Sequence, residues 1–139
     1  MDVLRARNPE VVELMNFITN DYSEEGESCE ELKQMMTQSK DDVCVAVVFD
    51  KNKLVAHTCG YKHKDRNYIW SFNSWAKHGL EKKYAVMCFN IIKNWSISHF
   101  GIYKMKCETI RNPRVMKRAY GWELHSSIME LNFKEYKNG

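Results

Sequence analysis

A chain of 139 residues can bury one sizeable core but not two, so a single domain over residues 1–139 is expected. Its 44% hydrophobic and 28% charged residues are ordinary for a globular protein, and no apolar leader or long apolar run argues for export or membrane insertion. The net charge of +3 hides a split: residues 1–50 hold four Lys/Arg against twelve Asp/Glu, whereas residues 51–139 hold seventeen against six. The basic part suits an anionic partner, either nucleic acid or a phosphate-bearing cofactor, unless the two parts neutralise each other across the fold.

Residues 3–7 alternate as an opening strand, and Asn8-Pro9 then caps a helix with Val11, Val12, Leu14, Met15 and Ile18 on its apolar face. After an acidic loop over 21–26, Ser28 to Glu31 form a capping box for a second helix through Leu32, Met35 and Met36. Residues 43–49, nearly all apolar, predict a central strand. A turn at 50–53 returns the chain antiparallel over 54–61. Residues 62–67 make a basic turn, and 68–75 form the next strand, with Tyr68, Trp70 and Phe72 directed to the core.

The longest helix runs from about Leu80 to His99, with Tyr84, Met87, Cys88, Ile91, Ile92 and Trp95 at helical spacing, and Gly101 ends it. Residues 105–110 alternate as a strand. Asn112 caps a short helix from Pro113 to Tyr120, Gly121 stops it, and 122–133 closes as a strand pair about Ser126-Ser127. The strand–helix–strand unit over 68–110 reads as a right-handed parallel crossover.

The strand, the Asn112-capped helix and Gly121-Trp122 resemble the C-terminal half of the Gcn5-related N-acetyltransferase superfamily, and the element order extends the resemblance over nearly the whole chain. It implies an α/β fold: a mixed, mostly antiparallel central sheet of six to seven strands flanked by about four helices. It also implies acetyl-coenzyme A lying where the sheet splays, with direct transfer of the acetyl group to an amine. The pantetheine arm would bond the strand edge at Ser71, Phe72 and Asn73. The pyrophosphate would lie at the mouth of the long helix, on Lys77, His78, Gly79, Lys82 and Lys83, with Asn112 beside the thioester. Only Gly79 falls on the family's glycine-rich cradle; Ala76 and Glu81 depart from it.

Glu108 is the candidate general base, with His57 and His63 as further titratable groups in reach, and Tyr120 is the candidate donor to the leaving thiolate. Two other classes of function stay open. The compact chain is similar to small acetyltransferase-like proteins of tailed bacteriophages, some of them virion components, which implies a catalytically inactive binding or structural protein. The aromatics Tyr61, Tyr68, Trp70, Phe72 and Trp75 lie among Lys62, Lys64, Arg66 and Lys77, a pattern that also suits a basic nucleic-acid module. Five scattered cysteines without a C-x-x-C pair predict free thiols, a reducing cytoplasmic setting and no metal site.

Overall fold

A computed structural model of the chain describes residues 1–15, 29–77, 79, 81–108, 123–125 and 128–133, with only the backbone of 81, 108 and 123–125. Among the described residues seven strands form one sheet: β1 (Asp2–Ala6), β2 (Val43–Asp50), β3 (Lys53–Tyr61), β4 (Ile69–Ala76), β5 (Lys104–Glu108), β6 (Glu123–His125) and β7 (Ile128–Asn132). Their order is β1-β2-β3-β4-β5-β7-β6, and every pairing is antiparallel except β4 with β5. The expected mixed sheet is therefore present. The helices α1 (Cys29–Gln38) and α2 (Glu81–Phe100) lie on opposite faces of it. The short helix expected over 113–120 and the capping residue Ser28 fall outside the described residues.

The first helix differs from expectation. Asn8 does cap it, its Oδ1 accepting from the Glu10 N–H at 3.0 Å, but Pro9–Leu14 is a 3-10 helix and extended backbone begins at Met15. Three residues per turn bring Val12 and Met15 together on the buried side and turn Leu14, 61% exposed, to solvent. Ile18 lies outside the described residues. Lys33 on α1 bonds Glu13 at 2.7 Å, which ties this helix to α1.

β2 is buried on both faces over residues 43–48, as its unbroken apolar run requires. One face, with Val43, Val45, Val47 and Cys59, packs against Val12, Met15, Leu32 and Met36. The other, with Cys44, Ala46, Val48 and Ala56, packs against α2 through Tyr84, Cys88, Phe89, Ile92 and Trp95. β4 is likewise covered on both faces. Ile69 is wholly buried on the α2 side, while Trp70 and Phe72 share register with Tyr61 and Cys59 on the α1 side. Tyr68, expected in the core, is only half-buried.

Two glycines carry structural conditions. A Cβ on Gly60 would stand 3.0 Å from both Ile69 Cγ2 and Ile92 Cγ2, so its bare backbone is what lets α2 settle on β3. Gly101 has φ +63°, and its N–H returns to the Ile97 carbonyl at 3.0 Å, the left-handed stop expected for α2. The buried Ser96 hydroxyl donates to the Ile102 carbonyl at 2.7 Å and fastens the chain that leads into β5.

Candidate active site

The parallel joint between β4 and β5 is brief. Ile69 pairs with Met105 and Trp70 with Lys106, and there the pairing stops, although β4 runs on to Ala76 and β5 to Glu108. β5 instead pairs along its full length with β7 on its other side. Residues 71–76 thus present one edge that β5 does not cover. Backbone polar groups on such an edge need a partner, and an extended ligand can supply it as an added strand.

A bulge sits in this open part. His57 pairs with Trp75 and Cys59 with Phe72, so Thr58 on β3 faces both Asn73 and Ser74 on β4. Asn73 has φ +50°, a left-handed conformation that Asn tolerates better than most residues. Its carbonyl lies 2.6 Å from His57 Nδ1. A carbonyl only accepts, so Nδ1 carries the hydrogen and Nε2 is left with a lone pair. That Nε2 and the Asn73 Nδ2 are both buried without a hydrogen-bond partner among the described residues. Burial lowers the His57 pKa to about 4 against the opposing effect of the Asn73 carbonyl, so the ring is neutral near pH 7. Trp75 stacks on the ring at 5.7 Å between centroids.

Beyond Ala76 the Lys77 N–H bonds the Val55 carbonyl at 2.8 Å, which fixes where β4 ends. Gly79 follows at φ +90°, with open space where a Cβ would stand, and α2 begins at Glu81. Lys77, Lys82 and Lys83 are exposed around this mouth. Amide N–H groups at the start of a 20-residue helix, with three ammonium groups nearby, make a setting that favours an anion.

The structure therefore places Ser71, Phe72 and Asn73 on the uncovered edge, and Lys77, Gly79, Lys82 and Lys83 at the helix mouth that the same strand leads into. Ser71 is 4% exposed, and Phe72 packs into the α1-side core. Glu108 is the last residue of β5, paired to Ile128, past the point where β4 leaves. His78, Asn112 and Tyr120 lie outside the described residues. Of the other titratable candidates, His63 stands in the turn after β3, edge-on to Tyr61 at 4.8 Å, and its carbonyl accepts from Lys62 Nζ.

Thiol chemistry is disfavoured at the three buried cysteines. Cys59 is wholly buried and burial holds its pKa far up, with Cys44 and Cys88 nearby adding to the shift. Burial likewise pushes Cys44 and Cys88 up to about 12, so none of the three is a thiolate at neutral pH. Among the described residues no group of three or more His, Cys, Asp or Glu could hold a metal ion, and no helix is long and apolar enough to cross a membrane.

The aromatic strand is not a stacking platform. Trp70 is buried, Tyr61 and Phe72 pack into the core, and Trp75 lies on His57. Tyr68 accepts a hydrogen bond from Arg66 at 2.6 Å and has Lys106 Nζ 4.4 Å from its ring centroid. Sequence reasoning singled out His57 as a titratable group but missed the bulge and the bond to Asn73. The available signal was an Asn inside a strand of aromatics, opposite a His inside a run of small apolar residues.

A mostly antiparallel sheet with one short parallel joint, opened beyond that joint and crossed by a long helix, is the fold of the Gcn5-related N-acetyltransferases. Aminoglycoside 6'-acetyltransferase type Ii superposes with a TM-score of 0.71 at 13% identity, over 95% of this chain and 97% of that one. A probable acetyltransferase from Staphylococcus epidermidis gives 0.72 at 14% identity, covering 94% and 98%. The PaiA N-acetyltransferase of Thermoplasma acidophilum, solved in complex with coenzyme A, gives 0.65 at 17% identity, covering 95% and 99%. No protein-family model matches the sequence, and no curated protein matches it. At these identities the likeness is one of fold.

Proposed function

We propose that this chain is an acetyl-coenzyme A-dependent N-acetyltransferase that passes the acetyl group directly to an amine. The observation that carries the reading is the uncovered β4 edge leading into a lysine-ringed helix mouth, in a fold that solved acetyltransferases share. The residues present fit the coenzyme. The β4 backbone at Ser71, Phe72 and the left-handed Asn73 offers its polar groups to the amides of a pantetheine arm. Gly79 leaves room for close approach of phosphate. Lys77, Lys82 and Lys83 supply the positive charge that a glycine-rich cradle would otherwise share with its backbone, in place of the family pattern lost at Ala76 and Glu81.

When bound, the coenzyme supplies an activated acetyl thioester. In this reading Asn112 orients that group, the Glu108 carboxylate accepts the proton of the acceptor amine, and the Tyr120 hydroxyl donates to the departing sulfur. Direct transfer agrees with the buried, protonated thiols of Cys44, Cys59 and Cys88. Such chemistry belongs in the cytoplasm, where acetyl-coenzyme A is at hand and free thiols persist.

Calorimetric titration of acetyl-coenzyme A into the protein tests the reading. Micromolar binding, weakened by Asn112→Ala, followed by thiol release with an amine from a polyamine and aminoglycoside panel, is the expected result. Absence of binding at millimolar coenzyme overturns it.

A further inference from the structure

The bulge in β4 is held by a buried side chain on the neighbouring strand. An extra residue bends its strand and increases the local twist, and here it lies just past the last β4–β5 pair, where the sheet opens. A non-glycine residue at φ +50° is strained and persists only where its surroundings hold it. What holds it is His57, 1% exposed, which donates Nδ1–H to the Asn73 carbonyl at 2.6 Å and is itself flanked by Trp75.

Stability alone would not select this arrangement. Burying the imidazole leaves Nε2 without a partner, and Asn73 Nδ2 is orphaned beside it. An aliphatic residue at position 57, among Val47 and Cys59 on the same face, would avoid the first of these costs. The histidine is a poor core residue and a good lock.

We propose that His57 is a positioning residue: by holding the Asn73 carbonyl it fixes the β4 bulge, and with it the uncovered edge, in the conformation that binds the pantetheine arm. The inference rests on the acetyltransferase reading above and adds to it the residue that sets the shape of the coenzyme site. The lock acts through Nδ1 alone. It makes no covalent bond and moves no proton.

Three variants separate the two ring nitrogens. His57→Asn places an amide N–H near the Nδ1 position, His57→Gln places one near Nε2, and His57→Leu offers none. Each is to be titrated with acetyl-coenzyme A, and its unfolding followed in urea. The expected result is affinity within about threefold of the unaltered protein for His57→Asn, and a loss of about tenfold or more for His57→Gln and His57→Leu, all unfolding cooperatively. Ring ¹⁵N shifts of His57, measured without coenzyme, are expected to show Nδ1 protonated and Nε2 bare.

Unchanged binding in His57→Gln and His57→Leu overturns the lock while the acetyltransferase reading stands. Equal loss in His57→Asn and His57→Gln also overturns it, as does a ring protonated at Nε2. If the unaltered protein takes up no coenzyme, the reading itself falls, and the lock's role in binding falls with it. Should His57→Leu fail to fold, the contrast between His57→Asn and His57→Gln still decides.

Discussion

β2 and β3 are paired from Val43↔Tyr61 to Asp50↔Lys53, whereas β4 and β5 meet at Ile69↔Met105 and Trp70↔Lys106 and then part. The first pair is sealed by side chains on both faces; the second leaves backbone with no strand beside it among the described residues. The difference teaches how one sheet serves two purposes. Full pairing and burial make a rigid platform, and interrupted pairing on that platform makes a place where something else can bind. The joint itself is not weakly packed, since Ile69 and Met105 are both wholly buried. Only the strand edge beyond them is given up.

Four experiments would break or sharpen this contrast. Ile92→Ala removes a fully buried side chain that seats α2 on Ile69 and Gly60, and should cost about 3–5 kcal/mol in urea unfolding. A loss below about 1 kcal/mol would show that the platform is less tightly packed than described.

The second concerns His57. Its pKa is about 4 in the folded chain against 6.5 as an ordinary histidine, so between those values the unfolded chain holds a proton that the folded one does not. Stability from this group is complete above pH 6.5 and drains away as pH falls toward 4, by about 3 kcal/mol in total. His57→Asn, which cannot titrate, should lose about that much less than the unaltered protein between pH 7 and 4. Parallel curves would refute the buried neutral ring.

Gly60→Ala comes next, at about 1–3 kcal/mol, because Ile69 and Ile92 must both yield. In combination with Ile92→Ala the cost should be less than additive, since one of the two obstructing methyls is then gone. Strict additivity would mean that the close approach of α2 to β3 is not what glycine serves. The smallest effect is expected at the open side. Lys82→Glu reverses one exposed charge and should weaken coenzyme binding about fivefold at low salt, a difference that fades as salt rises. A loss that ignores salt would argue against a phosphate at the helix mouth.

Much of the platform was legible beforehand because its signals are redundant. Residues 43–48 are apolar without interruption and are buried without interruption. The helical spacing of Tyr84, Cys88, Ile92 and Trp95 gave the buried face of α2; Phe89 and Ser96, also buried, were left out of it, and Met87 and Ile91, counted in it, are only half-buried. The 3-10 helix was misread since cap and proline signals mark where a helix starts, not how tightly it winds.

The site was legible in outline only. Ser71 to Asn73 and Lys77 to Lys83 were placed by their order along the chain, which strand and helix preserve. The bulge was not, because it depends on register between β3 and β4, which an Asn within an aromatic strand signals as irregular but cannot pair with a residue 16 positions away. Tyr120 and Asn112 lie outside the described residues.

The short joint also bears on how the chain folds. β2 and β3 are joined by a two-residue turn in which Lys51 and Asn52 both take positive φ, so their ladder can zip from a local start. Ile69 and Met105 meet only after the whole of α2 has been formed and laid across the sheet, a closure of 36 residues for two pairs of register. Such a contact forms late and is the natural first point of local opening. A ligand bridging β4 and β5 would then act as a clasp on the last step of folding, slowing unfolding more than it speeds folding.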